Sequence, residues 1–541
     1  MAADPTSTPK RPAYLVFEGG GARGVAHVGA LQAVEDSGYR IDGVAGTSAG
    51  ALVAVLVALG FEAEDIIDPE DPYKNIITTL GQTPTGLLNE RDWEQFQHLR
   101  NRGAWAFLMA ALWGGVVNLA TAPRVMGMIW RLIERSGHFS TVGIEAFVDT
   151  VIRKRLKDIN EIAGLGREIP DRVTFAELAN DWPTVIPLKI VATDVESGTL
   201  EIFTALRTPD VVVAEAVAAS IAIPLVFRPA AIPSYRAGRF ADGGLVSNLP
   251  IWSFTEEKLC LERERPGEPP IPMIGFTLEP PKETARRQNT VSAFAQYATK
   301  LVTAALQGSQ NATVQFLDDV QLIRLECALK TLDFAADRNA YAAAREAGRK
   351  SAAEQLRFSL ETKPERIRDE LETVRAAALQ SINEKRAELG EKPVTHVRVN
   401  LIRPFGARSL RVFESVGMDG DADDRLVIDR RGSGAARAFR RKNIVIANFR
   451  GAGWDSHMTK YERALIRARL HSAICVPIFA ETGSWELEAD VRPEPSGILV
   501  VDSDDNLEDV FADETLQDML VVQSAEIYTA TMMKVDDGPQ H

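Results

Sequence analysis

The clearest chemical signal in the sequence is a serine set among small residues, Ser48 in the stretch GTSAG at 46–50. The stretch has the form G-x-S-x-G and stands between two apolar runs, the first predicting a strand and the second a helix. Small neighbours such as Gly46 and Gly50 allow a sharp turn that exposes the hydroxyl, and the helix N-terminus stabilises developing negative charge. The pattern therefore predicts Ser48 as a nucleophile.

A serine nucleophile needs a base, and the histidines of this chain are poorly placed to supply one. A hydrolase triad expects a histidine soon after its acid, but positions 139–395 contain none. His27 falls in the first predicted helix and is interpreted as structural. Asp242 follows a short apolar run, and Gly243 and Gly244 form a turn after it. A carboxylate in that turn is placed to accept the serine proton directly, as in a Ser–Asp dyad.

The glycines that precede the serine admit a competing interpretation. The stretch EGGGARG at 18–24 follows an apolar run and contains G-x-G-x-x-G, the fingerprint of a dinucleotide-binding turn. Such a fold also needs an acid about twenty residues further on, and Asp42 has roughly that spacing. Asp42, however, begins the strand that leads into the serine turn, which has no role in binding NAD. We therefore disfavour a dinucleotide as the ligand.

These residues must be positioned by alternating strands and helices. Residues 13–18 and 41–47 are short apolar runs that predict strands, and 24–38 has apolar residues at helical spacing. A hydrophobic helix is predicted directly after the serine, and the strand pattern resumes at 188–203. Strand, helix, strand and helix in this order predict a parallel sheet.

The overall composition excludes some classes of function. The chain has 541 residues and a formal net charge of -14, which argues against general nucleic-acid binding because a polyanion needs a basic surface. The three cysteines, Cys260, Cys327 and Cys475, form no C-x-x-C pair, so neither a disulfide framework nor a zinc site is expected. Residues 1–11 lack the apolar region of a secretory signal and are predicted to be disordered. A cytoplasmic location fits best.

An uncharged stretch at 103–123 has the length of a membrane span. A span is implausible there, because it would separate the nucleophile from the base of one domain. A buried core helix and a lid or membrane-contacting element stay open as alternatives. Trp105, Trp113 and Trp130, with arginines nearby, suit contact with a membrane surface.

The C-terminal third has a different composition. Residues from about 335 to 392 are rich in Ala, Glu, Arg, Lys and Gln, which is typical of long helices. After Pro393, alternating runs separated by turn residues predict a mostly antiparallel sheet. A basic run marks one turn of this region, and a solvated loop and an anion site are both compatible with it. The run contains Arg430, Arg431, Arg437, Arg440, Arg441 and Lys442.

Three motifs in fixed order, GGGARG, GTSAG and DGG, resemble those of the patatin-like phospholipases, as do VATDVESG and SIAIPLVFRP. The resemblance covers about 12–358 and implies a three-layer α/β hydrolase core with a mainly parallel sheet. By position, it implies Ser48 as nucleophile and Asp242 as base. It also implies that the glycine-rich loop forms an oxyanion hole, with an arginine that supports either the loop or the anion. The residues carried over to that loop are Gly20, Gly21, Arg23 and Gly24.

Residues of about 393–535 resemble a GAF domain, in which a strand ending in VPI is followed by a GILVVDS strand and a closing helix. The resemblance implies an α+β domain that acts as a small-ligand sensor or a dimerisation module. Residues 359–392 would then be a helical linker, and 536–541 a short tail. The stretch FADE at 511–514 matches the signature of cyclic-nucleotide-binding members only in part.

Together these features predict a cytoplasmic serine acyl hydrolase of the phospholipase A type, controlled by the GAF-like domain. It would act on phospholipid at a membrane surface that it contacts transiently, and it would need no metal or cofactor. Two alternatives stay open. One is an acyltransferase on the same dyad, and the other is a non-catalytic ligand sensor or scaffold with a vestigial hydrolase domain.

Overall fold

The computed structural model describes residues 11–68, 76, 137–264, 271–279 and 320–532, except positions 332, 334, 335, 406, 407, 419 and 420. These residues form two compact units. The first unit contains the described residues up to Lys258 and those of Ile271–Leu356, and the second contains mainly those from Arg357 onward. The uncharged stretch at 103–123, the tail at 536–541 and all but one residue of the predicted disordered N-terminus lie outside the described residues.

The first unit alternates strands and helices along the chain. Its strands are β1 (Arg11–Phe17), β2 (Tyr39–Thr47), β3 (Gly137–Phe139), β4 (Leu188–Asp194), β5 (Thr199–Phe203), β6 (Leu225–Phe227), β7 (Ala230–Ile232), β8 (Arg236–Asp242), β9 (Met273–Glu279) and β10 (Val320–Glu326). Its helices are α1 (Val25–Asp36), α2 (Ala49–Ala58), α3 (Ala63–Ile66), α4 (Val142–Ala163), α5 (Phe175–Asp181), α6 (Val213–Ser220), α7 (Thr255–Glu264) and α8 (Arg338–Arg357).

The main sheet of this unit is mixed, whereas the sequence predicts a mainly parallel one. Its order is β10-β9-β1-β2-β4-β8-β7, with β5 also paired to β4. The strands from β10 to β4 run parallel to their neighbours, but β5 and β8 pair antiparallel with β4, and β7 pairs antiparallel with β8. Short connections between consecutive strands explain why part of the sheet is antiparallel. Four residues join β4 to β5 and three join β7 to β8, far fewer than the dozen or more that a parallel crossover needs.

The central strands are covered on both faces. Tyr14 and Val16 of β1 pack with Phe254 and neighbouring residues in one buried cluster. The alternate side chains of β1 point the other way, where Phe17 meets the ring of His27 from α1. Burial on both faces explains why the parallel strands are continuous apolar runs in the sequence.

The second unit holds a six-stranded sheet in the order β13-β12-β11-β16-β15-β14, with every neighbouring pair antiparallel. Its strands are β11 (Arg398–Phe405), β12 (Ser409–Val416), β13 (Val427–Asp429), β14 (Val445–Asn448), β15 (Ser472–Ile478) and β16 (Gly497–Ser503). Its helices are α9 (Lys363–Glu388), which follows a π-helical turn at Phe358–Thr362, α10 (Ala435–Arg441), α11 (Lys460–Leu465), α12 (Glu508–Phe511) and α13 (Glu514–Met532).

Helix α9 lies within the segment that the sequence predicts as a linker, yet it contributes to the core of the second unit. Its buried face repeats at helical spacing, and this face packs in one cluster with side chains of β11, β15, β16 and α13. The buried residues of α9 are Ile367, Leu371, Val374, Ala378 and Ile382. The segment therefore has a structural role of its own in this unit, and the domain boundaries at 358 and 392 stay a prediction.

Candidate active site

Ser48 occupies a strained turn between β2 and α2. Its backbone has φ 54° and ψ -124°, a positive φ that few residues other than glycine adopt. A Cβ on Gly46 would lie 2.2 Å from the carbonyl oxygen of Gly50, and a Cβ on Gly50 would lie 2.4 Å from that of Phe17. The two glycines are thus required by the close approach of backbone to backbone, and strain of this kind is concentrated at functional sites.

A second serine, which the sequence analysis did not single out, holds this turn in place. The backbone N–H of Ser48 donates to Ser220 Oγ at 2.9 Å, and Ser220 Oγ donates to the carbonyl oxygen of Val191 at 2.6 Å. Ser220 ends α6 and is fully buried. A polar residue inside the apolar run AVAASIAIP was the available signal, because buried hydroxyls are retained only where they find partners.

Asp242 lies at the end of β8, beside the strand that neighbours the serine turn. Asp242 pairs with Ala192 of β4, and the preceding residue Val191 pairs with Thr47 of β2 on the same edge, because β5 occupies the opposite edge of β4. The Ser48 hydroxyl lies close enough to the Asp242 carboxyl to lower its pKa, and the N–H of Gly244 donates to Asp242 Oδ1 at 2.7 Å. The fold thus brings together two residues that are far apart in the sequence.

Burial raises the pKa of Asp242 to about 6, while the Ser48 hydroxyl and the hydrogen bond from the N–H of Gly244 lower it. Asp242 is 7% exposed, and no cation among the described residues contributes to this balance. A general base works best when its pKa lies near the working pH. Asp242 is therefore ionised at neutral pH and more basic than an aspartate in water.

The acid turn, residues 242–248, is also closely packed. A Cβ on Gly243 would lie 2.4 Å from the carbonyl oxygen of Val191, and a Cβ on Gly244 would lie 2.9 Å from Asp242 Oδ1 itself. Both positions need glycine, as the sequence predicts for supporting residues of this turn.

The oxyanion loop, residues 18–24, runs from the end of β1 into a 3₁₀ turn at Gly21–Gly24 and then α1. Gly21 has φ 56°, and a Cβ there would lie 2.2 Å from the carbonyl oxygen of Thr331. Within the described ranges, no residue accepts a hydrogen bond from the N–H of Gly20 or of Gly21. A Cβ on Gly24 would lie 2.9 Å from that of Ala49, the residue after the serine. The loop therefore passes beside the serine turn, and the N–H groups of Gly20 and Gly21 have no acceptor among the described residues.

Arg23 anchors this loop. Its Nη1 donates to the carbonyl oxygen of Leu278 at the end of β9, at 3.1 Å. The side chain of Leu278 also fills the space that a Cβ on Gly20 would need, with Cδ1 only 2.2 Å away. Of the two roles expected for Arg23, this geometry supports the anchoring of the loop.

His27 is fully buried in α1, and its Nε2 bonds with the carbonyl oxygen of Glu18 at 2.8 Å. Burial lowers its pKa to about 4, so the ring is neutral at pH 7. These contacts are consistent with the structural interpretation of His27.

Outside the serine and acid turns, the described residues offer neither a metal site nor a membrane-spanning helix. Across the described ranges, no three His, Cys, Asp or Glu side chains come close enough together to hold a metal ion. None of the helices in the described part of the chain has the length and apolarity that a membrane span requires. Arg430 and Arg431 of the basic run form ion pairs with Glu494 and Asp429, at 2.9 Å and 2.7 Å. Those two guanidinium groups are partly neutralised by the chain itself.

Comparison with known proteins agrees with the motifs. The family model of the patatin-like phospholipases matches residues 15–255. The protein YqhO of Bacillus subtilis (strain 168) is 29% identical over 286 residues, which are 52% of this chain and 75% of YqhO. Lysophospholipase NTE1 of Yarrowia lipolytica is 35% identical over 91 residues, which are 17% of this chain and only 6% of that much longer protein.

Among solved structures, VipD from Legionella pneumophila has a TM-score of 0.32 at 17% identity, covering 71% of this chain and 78% of VipD. The assignment of the first unit comes from the family model, which spans both the serine turn and the acid turn. Residues 15–255 are thus a patatin-like phospholipase domain, and the chain that carries it is a hydrolase.

Proposed function

We propose that the protein is a serine lipid acyl hydrolase of the phospholipase A type, with Ser48 as nucleophile and Asp242 as base. The observation that carries this proposal is the placement of Ser48, held at positive φ, against a buried Asp242 that has no cationic partner among the described residues. The match to the patatin-like phospholipases and the similarity to a lysophospholipase favour an acyl lipid as substrate.

The chemistry follows from these positions. Ser48 Oγ attacks the carbonyl carbon of an ester while Asp242 takes the hydroxyl proton, which gives a tetrahedral oxyanion. The N–H groups of Gly20 and Gly21, which have no acceptor among the described residues, stabilise that oxyanion, and one such donor contributes about 3–4 kcal/mol. The C–O bond to the alcohol then breaks, and the departing oxygen takes the proton from Asp242. Water then attacks the acyl-enzyme carbonyl while Asp242 takes a proton from it. The bond to Ser48 Oγ breaks, Asp242 returns the proton to Ser48 Oγ, and the fatty acid leaves.

We further propose that the second unit is a GAF-like domain that regulates this activity on binding a small ligand. An antiparallel sheet packed against two long helices, α9 and α13, supports the assignment. A thermal-shift screen of the full chain against small metabolites, followed by assays of fatty-acid release, tests it. Ligands that raise the Tm and leave the rate unchanged would count against regulation. A cytoplasmic location with transient membrane contact completes the proposal.

Labelling of the full-length protein with a fluorophosphonate, followed by peptide mass spectrometry, tests the catalytic assignment. The adduct is expected on Ser48, and Ser48→Ala and Asp242→Asn are expected to abolish or strongly slow labelling. Ser253→Ala is a matched control, because it removes another buried serine hydroxyl. Persistent labelling of Ser48→Ala would refute the nucleophile.

Release of fatty acid from phosphatidylcholine vesicles then tests the substrate class. Repeating the assay with an added long-chain alcohol separates the two acyl-transfer outcomes. Free fatty acid as the main product supports the hydrolase, whereas ester as the main product means that the same dyad serves an acyltransferase. A labelled protein that releases no fatty acid from any phospholipid tried would contradict the lipase assignment.

A further inference from the structure

A polar side chain outside the dyad joins the two halves of the site. Asn248 ends the acid turn, and its Nδ2 donates to Glu18 Oε1 at 2.7 Å. The same residue bonds with the next peptide of the oxyanion loop, because Gly19 N donates to the Asn248 carbonyl oxygen at 3.1 Å. A weaker contact of 3.4 Å joins Asn248 Nδ2 to the Gly19 carbonyl oxygen. Three hydrogen bonds therefore connect Asn248 to residues 18–19.

The other partner, Glu18, is itself held firmly. Its carboxylate is 7% exposed, and its second oxygen accepts from the N–H of Leu278 at 2.6 Å. The carbonyl oxygen of Leu278 is the acceptor of Arg23. Glu18 and Arg23, which flank the glycine run, thus bind the backbone N–H and the carbonyl oxygen of Leu278 in β9. These bonds fix the oxyanion loop against β9, and Asn248 is bonded to the loop at Glu18.

Asn248 also fixes the turn that carries the base. Its Oδ1 lies 2.7 Å from the position of a Cβ on Gly244, the residue whose N–H binds Asp242. The same atom lies 2.6 Å from the position of a Cβ on Gly19. The amide therefore fills the space between the oxyanion loop and the acid turn, and both glycines leave room for it. Thr47 Oγ1 ties this turn to β2 as well, donating to the Ser247 carbonyl oxygen at 3.2 Å.

We propose that Asn248 is a positioning residue, whose amide bond to the Glu18 carboxylate sets the distance between the oxyanion donors and the Ser48–Asp242 pair. This inference rests on the proposed function, since it assigns Asn248 to the same site. A misplaced donor loses most of its effect on the transition state and little of its effect on bound substrate. Loss of the bond should therefore lower kcat and leave KM nearly unchanged.

An exchange of the two side-chain types tests this directly. Asn248→Asp places two carboxylates against each other in a buried site, which is repulsive at pH 8. Glu18→Gln with Asn248→Asp restores an amide–carboxylate bond with the partners exchanged. We expect kcat to fall roughly 100-fold in Asn248→Asp and to recover to within about tenfold of wild type in the double variant, as coupled partners do in double-mutant cycles. Asn160→Asp is the matched control, a half-buried asparagine elsewhere in the unit, and should retain full activity.

The result separates this inference from the function on which it rests. Fluorophosphonate labelling of wild-type Ser48 together with release of fatty acid from phosphatidylcholine supports the proposed function, and the absence of both, with every ligand found in the thermal-shift screen added, would remove both proposals. With wild type labelled, a double variant no better than Asn248→Asp would overturn the positioning role. So would a loss confined to KM, or losses in kcat that match the unfolding of each variant in a thermal melt.

Discussion

Two aspartates, Asp242 in the first unit and Asp502 in the second, are buried to a similar extent but have different hydrogen-bond partners. Asp242 is 7% exposed and Asp502 is 4% exposed, and burial raises the pKa of each to about 6. The contacts that lower the pKa, and so oppose burial, differ between the two residues. A serine hydroxyl and one backbone N–H stabilise the charge of Asp242, whereas the guanidinium of Arg398 and the amide of Asn400 stabilise that of Asp502.

The surroundings of Asp502 form a closed ion-pair network. Arg398 Nε donates to Asp502 Oδ1 at 2.6 Å, and its Nη1 donates to Asp421 at 2.9 Å and to Asp423 at 3.1 Å. Asn400 Nδ2 donates to the other oxygen of Asp502 at 2.9 Å. The carboxylate oxygens of Asp502 are thus occupied by an arginine and an amide, so this residue orders the strands around it although its pKa equals that of Asp242. Asp242 differs because its side-chain partner among the described residues is a hydroxyl that can give up a proton.

The largest difference between substituting Asp242 and substituting Asp502 is expected in catalytic activity. Asp242→Asn removes the base and should lower kcat/KM roughly 10³–10⁴-fold, in line with the loss of one member of a catalytic pair. Fatty-acid release from phosphatidylcholine vesicles measures it, with near-wild-type circular dichroism as the control. Activity within tenfold of wild type would remove the distinction between the two aspartates.

Stability should respond in the opposite sense. Asp502→Asn leaves the buried Arg398 without its closest counter-charge, and breaking such a pair costs about 3 kcal/mol. Asp242→Asn should instead keep or raise the stability of its unit. The folded pKa of each aspartate, about 6, exceeds the ordinary 3.8, so each charge makes the fold less stable as pH rises between these values. The two variants differ because only Asp502→Asn removes the counter-charge of a buried arginine.

Hydrogen exchange of the full chain at pH 8, read from peptides of β2 and β8 and from peptides of β11 and β16, measures both effects. Faster exchange around β8 in Asp242→Asn, or unchanged exchange around β11 in Asp502→Asn, would contradict the comparison.

The pH dependence of catalysis should follow Asp242. The base acts only when deprotonated, so kcat/KM should rise with pH through about 6 and level off above 7. At pH 5, about tenfold less activity than on the plateau is expected. Stopped-flow labelling of Ser48 with a fluorophosphonate at each pH provides the profile. A rate independent of pH from 5 to 8 would rule out Asp242 as the titrating base.

A smaller loss of activity is expected when Ser220, which accepts a hydrogen bond from the Ser48 N–H, is substituted. Ser220→Ala leaves the N–H of Ser48 without its acceptor and should lower kcat by roughly fivefold, equal to about 1 kcal/mol. Ser253→Ala serves as the control, since Ser253 Oγ is buried and has no hydrogen-bond partner in the described part of the chain. Equal losses in both variants would assign the effect to packing alone.

The sequence was informative where local geometry decides the outcome. GTSAG predicted the turn because only small residues fit where Gly46 and Gly50 meet neighbouring backbone, and GGGARG predicted a loop with exposed N–H groups for the same reason. It was less informative about the sheet, whose antiparallel edge depends on short connections and on which strands meet. Asn248 and Ser220 escaped notice, because their partners, Glu18 and Ser48, lie far away in the chain.

The sequence by itself thus determined the serine turn, the glycine loop, the acid turn and the change of composition near residue 335. Each is a property of a few consecutive residues, fixed by sterics and by side-chain size. Only the tertiary structure decided how Asp242 is buried beside Ser48, that Arg23 anchors a loop, and that Asp502 has a cationic partner whereas Asp242 has none among the described residues. Those outcomes depend on burial, which forces polar groups distant in the chain to become each other's partners.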